Sequence, residues 1–108
     1  MQNKLSWEAF SNDERNKVIE ELKNTISSSA GYIISFNMFS DLALALSIEI
    51  EENKIKTLHT ALSLILKISD LDLYKVNMES KKEWLINMNI SFSRGKGKLK
   101  QEIPEVPG

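Results

Sequence analysis

Hydrophobic positions recur along this chain with two different periods, and each change of period marks a new element. Val18, Ile19, Leu22 and Ile26 follow one another at helical spacing and form a single apolar stripe. Ser11-Asn12-Asp13-Glu14 precedes them with the spacing of a capping box, and Asp13/Lys17 at i,i+4 supports the exposed side. "SSSAG" ends this predicted helix, with Gly31 suited to the left-handed position behind it. Trp7 and Phe10 come before the cap and are expected to pack beneath the helix. From Tyr32 the period becomes two. Tyr32, Ile34, Phe36 and Met38 point one way, and Ile33, Ser35, Asn37 and Phe39 the other. After Ser40-Asp41, Leu42, Leu44, Leu46, Ile48 and Ile50 alternate with Ala43, Ala45, Ser47, Glu49 and Glu51. Leucine and alanine favour helix in isolation, but this sustained alternation outweighs that preference and predicts a β-hairpin.

Asn53 is placed to cap a second helix, with Ile55, Leu58, Leu62, Ile65 and Ser69 on one face. Residues 70–83 admit two readings: a short edge strand through Tyr74, Val76 and Met78, or a solvated loop ending in "ESKKE". Alternation returns with Trp84, Ile86, Met88, Ile90 and Phe92 against Leu85, Asn87, Asn89, Ser91 and Ser93. A last strand is expected over Lys98–Ile103, closed by Pro104 and Pro107. The predicted order is αββαββ. It gives an α+β two-layer sandwich, a four-stranded antiparallel sheet with two helices on one face. A circular permutation of the ferredoxin-like sandwich would produce that order. The chain reads as one domain over 1–108, with an N-terminal segment 1–10 and a C-terminal tail 104–108.

Composition narrows the chemistry. A chain of 108 residues, 42% hydrophobic and 27% charged, can build one core without covalent staples. There is no cysteine, so disulfides, thiolate catalysis and sulfur-ligated zinc are excluded, which suits a cytoplasmic setting. The start of the chain has no signal-peptide pattern, and "LALALSI" is far too short to span a bilayer. Net charge is −1, which does not mark a dedicated polyanion binder. Lysine heavily outnumbers arginine, as in AT-rich bacterial coding.

Four groups of residues are candidate sites. Arg94, Lys96, Lys98 and Lys100 lie in "SRGKGKLK", a candidate anion-binding hairpin. It fails the P-loop pattern and sits between strand-like segments, so it reads first as a turn with solvated lysines. His59, the single histidine, has no companion at metal-ligand or triad spacing and reads as a residue at the border of a helix face. Glu49, Glu51 and Glu52, with Asp41, form the best carboxylate group, but strand alternation turns the first two outward. Trp7, Trp84, Met38 and Met88 fall on inward positions and read as core. No catalytic residue, cofactor or metal ligand is predicted.

The informative feature is the sheet face that the helices leave uncovered. By alternation it carries Ile33, Ser35, Asn37, Phe39, Leu85, Asn87 and Asn89, bordered by the acidic corner Glu49, Glu51 and Glu52. An RNA-reading sheet would present stacking aromatics and basic groups there, and this face offers only Phe39. The expectation is therefore a non-catalytic cytoplasmic protein-binding domain of bacterial type, acting on a heterologous partner or on its own copy. An inhibitor or immunity-type protein is its most concrete form, and a homodimer is its self-associating one. The alternative is weak nucleic-acid or phosphorylated-ligand binding through Arg94–Lys100.

Overall fold

The computed structural model describes residues 3–93. Its elements are β1 (Asn3–Ser11), α1 (Arg15–Ser28), β2 (Tyr32–Ser40), β3 (Ala43–Glu51), α2 (Ile55–Leu62), β4 (Lys67–Ile68) and β5 (Glu83–Phe92). Single 3-10 turns at Glu52–Lys54 and Leu73–Lys75 join them. The strands form one five-stranded sheet in the order β2-β3-β5-β1-β4. Neighbours run antiparallel except β1 and β5, which are parallel.

The α+β class holds, and the expected arrangement is corrected in three respects. The sheet has five strands among the described residues, not four. It is mixed, not wholly antiparallel. The order begins with a strand, so β1 through β4 follow the βαββαβ sequence directly, with no permutation, and β5 inserts between β3 and β1. The expected strand over Lys98–Ile103 lies outside the described residues.

What makes residues 3–11 a strand is tertiary. Trp7, Ala9 and Ser11 are buried while Lys4, Ser6, Glu8 and Phe10 are exposed, a two-residue alternation in which Ala9 and Ser11 add little apolar contrast to Trp7. Each residue from Asn3 to Ser11 is in register with one from Trp84 to Phe92. Phe10 thus lies on the outer face, 36% exposed, rather than beneath α1.

α1 also starts later than the capping box implied. The Glu14 carboxylate accepts from the amides of Asn16 and Lys17 at 2.9 and 3.1 Å, so Glu14 is the cap. Ser11 Oγ instead accepts from the Asp13 amide at 3.0 Å. At the other end Gly31 N–H donates to Ile26 O and Ala30 N–H to Ser27 O, the paired bonds of a Schellman motif. The left-handed residue is Ala30, at φ 65°, and not Gly31. Glycine at 31 answers a different need: a Cβ there would meet Ile26 Cγ2 at 3.1 Å and Ile48 Cγ2 at 3.2 Å.

α2 is shorter than predicted and ends at Leu62; Asn53 supplies no side-chain cap. The remaining apolar residues serve another purpose. Leu66 enters the core, and β4 pairs Ile68 with Ala9 and Lys67 with Phe10. Residues 70–82 form no strand; Val76 alone of the alternating trio is buried.

Both helices cover one face of the sheet. Val18, Leu22 and Ile26 from α1 and Ile55, Leu58 and Leu62 from α2 join one core with Leu44–Ile50 of β3 and Trp84–Phe92 of β5. Full burial of one such Leu or Ile stabilises the fold by roughly 1.5–3 kcal/mol before entropy is set against it.

Candidate protein-docking surface

The face opposite the helices is built by the register itself. Residues paired across neighbouring strands point to the same side, so the Cα pairing defines rows running across the sheet. One row is Asn37, Ala45, Asn89 and Glu8; the next is Ser35, Ser47, Asn87 and Ser6; a third is Tyr32, Glu49, Leu85 and Lys4. Small and amide side chains fill the centre, and the rows are tied laterally. Ser47 Oγ donates to Asn87 Oδ1 at 2.8 Å, and Asn89 Nδ2 donates to Glu8 Oε2 at 3.1 Å. These bonds tie β3 to β5 and β5 to β1 through their side chains.

The predicted docking residues divide into groups. Ser35, Asn37, Leu85, Asn87 and Asn89 lie together on this face, with Glu49 and Glu51 at one end. Glu83, opposite Glu51, extends that acidic end. Phe39, 73% exposed, stands near the far end of β2. Ile33 is on the other side. It pairs with core-facing Ile48 and packs against the core, because a register shift between Ile33 and Ser35 reverses the alternation midway along β2. The same shift brings Tyr32, expected inside, onto the open face, where it is 72% exposed. Sequence reasoning also missed β1, whose Lys4, Ser6, Glu8 and Phe10 complete the surface. The signal was the weak alternation in "KLSWEAFS".

Glu52 is not part of the acidic end. It is 5% exposed, and its Oε2 accepts from the Asn77 amide at 2.7 Å. Its backbone amide donates to Lys82 O, and the Asn53 amide to Ser80 O, both at 2.8 Å. Burial pushes the Glu52 pKa upward. The Asn77 amide, the Ser80 side chain, the Trp84 indole and the Lys82 charge outweigh burial and hold it below its ordinary value of 4.5. The Trp84 N–H acts here without reaching full hydrogen-bond geometry. Glu52 therefore ties the 77–82 loop to the start of α2.

His59 is likewise committed. Its Nε2 lies 2.7 Å from Ser69 O; a carbonyl only accepts, so that nitrogen carries the hydrogen. The ring also meets Trp7 edge-on, 5.0 Å between centroids. Among the described residues no group of three or more His, Asp or Glu side chains could hold a metal ion. A cleft of about 430 Å³ opens beside Lys4, Trp7, Asp70, Asp72, Lys75 and Trp84, where two acids and two lysines leave no dominant charge. No helix among the described residues is long and apolar enough to cross a membrane. The candidate anion-binding residues Arg94, Lys96, Lys98 and Lys100 lie outside the described residues. Compared with protein families, curated proteins and solved structures, the chain matches none.

Proposed function

We propose that this protein is a non-catalytic binding domain that docks a basic protein partner on the open face of its sheet, acting by occlusion as an inhibitor of the immunity type does. The supporting observation is the face itself: uncovered by any described helix, lined at its centre by small and amide side chains, and tied across strands by the Ser47–Asn87 and Asn89–Glu8 bonds. A surface whose side chains are already held loses little entropy when a partner lands on it. Its charge sets the chemistry of that partner. Glu8, Glu49, Glu51 and Glu83 face outward against Lys4 and Lys67, so a basic surface would be steered towards it.

Affinity capture with the full chain, from a lysate of the producing organism, tests this reading. The wild-type chain should retain one basic protein in stoichiometric amount. Leu85→Arg and Asn89→Arg should lose it, while Thr57→Arg, on the exposed side of α2, should retain it. Equal retention by all three variants would remove the open face as the docking site.

A further inference from the structure

The two edges of the sheet are unlike. β4 is two residues long and covers only Ala9 and Phe10 of β1, so that edge is stepped, with Asn3–Trp7 of β1 unpaired on that side by any described strand. β2 is nine residues long and stands at the opposite edge, with one side of its backbone unpaired by any described strand. Exposed edges in soluble proteins are blunted by charge, proline, short length or bulges. "YIISFNMFS" contains no charged residue and no proline. It does carry two register shifts, but the four residues between them, Ser35 to Met38, pair regularly with Ser47 to Leu44. Around it Tyr32, Ile34, Met38, Phe39 and Leu42 are all exposed, half of the large exposed hydrophobic side chains among the described residues.

We infer that β2 is a self-association edge, pairing antiparallel with β2 of a second copy of this chain to form a two-fold dimer whose sheet runs unbroken across both subunits. Charge selects this occupant. In an antiparallel pair of identical strands any charged residue risks facing a like charge, and β2 has none to bring together in any register. Edge asymmetry selects closure: a head-to-tail chain would have to seat β2 on a stepped edge, the two residues of β4 and then Asn3–Trp7 of β1 beside the cleft of Asp70, Asp72 and Lys75, whereas β2 against β2 offers both copies the same edge at once. The open face stays accessible, so this dimer is independent of the partner proposed above and would present two such faces side by side.

Sedimentation velocity of the full chain decides it. The wild type should sediment as a dimer at micromolar concentration. Ile34→Lys/Phe39→Lys and Ile34→Glu/Phe39→Glu should each weaken self-association more than about tenfold, because each sets like charges along the same edge. An equimolar mixture of the two should regain the dimer, which a merely misfolded variant could not do. Amide exchange in wild-type β2 should slow as protein concentration rises. A wild-type monomer throughout that range, a lysine variant that dimerises as tightly as wild type, or concentration-independent exchange in β2 would each overturn the inference. Asn89→Arg should leave the dimer intact, which separates this outcome from any failure of the docking face.

Discussion

The Glu52 carboxylate accepts a 2.7 Å bond from a loop amide in a site almost closed to water, and the consequence is thermodynamic. Its folded pKa lies below 4.5, so its contribution to stability is present above that ordinary value and disappears as pH falls through the lowered folded value. Glu52→Ala leaves the Asn77 amide without an acceptor and should cost about 1–3 kcal/mol at neutral pH, read from urea unfolding. Repeating the titration at descending pH should shrink the gap between wild type and variant once pH drops below the usual carboxylate range. A gap that stays constant, or widens, would contradict the ionised-acceptor role.

At the scale of elements, α1 ends by placing an alanine in the left-handed region, a conformation that costs an L-residue roughly 1–2 kcal/mol. Glycine would escape that cost and lose part of the gain to its freer unfolded chain, so Ala30→Gly should stabilise by about 0.5–1 kcal/mol. Gly31→Ala should go the other way, since its Cβ would press on Ile26 and Ile48 at the join between helix and sheet. Urea midpoints of the two variants moving apart around wild type is the expected reading. β2 carries a parallel lesson: one register shift moves Ile33 into the core and sends Tyr32 out. A strict alternation rule has no means of locating that shift, because Tyr32, Ile33 and Ile34 are apolar in succession and fit either phase.

For the whole molecule the decisive contact is the row Leu46, Met88 and Trp7, which joins three strands far apart in sequence through the middle of the sheet. Each is at most 2% exposed, so Met88→Ala should open a cavity and cost about 2–5 kcal/mol. Trp7 and Trp84 are both buried reporters of the same core. Tryptophan fluorescence and far-UV circular dichroism should therefore give coincident unfolding curves in wild type and variant alike; separated curves would mean that β1 leaves the sheet first. The open face should tolerate change far better. Asn89→Arg ought to shift stability by no more than about 0.5 kcal/mol while abolishing partner retention.

The local pattern of the sequence by itself determined the apolar stripe of α1, strands β3 and β5, the middle of β2 and the stripe of α2 as far as Leu62, because within each of these an unbroken period sorts side chains between core and solvent. It also placed Ser35, Asn37, Leu85, Asn87 and Asn89 on one surface, since inner and outer positions alternate strictly along β5 and along the middle of β2. Tertiary structure alone decided that residues 3–11 form a strand, that β5 lies between β3 and β1, and that Glu52 turns inward. β1 has Ala9 and Ser11 on its inner side and too little apolar contrast to declare itself; it becomes a strand by pairing with residues some eighty positions away. Glu52 reads as one more surface acid until the 77–82 loop supplies the amide that makes its burial tolerable. Periodicity records which side of an element is greasy, whereas neighbours, register shifts and buried charges depend on segments that meet only once the chain has folded.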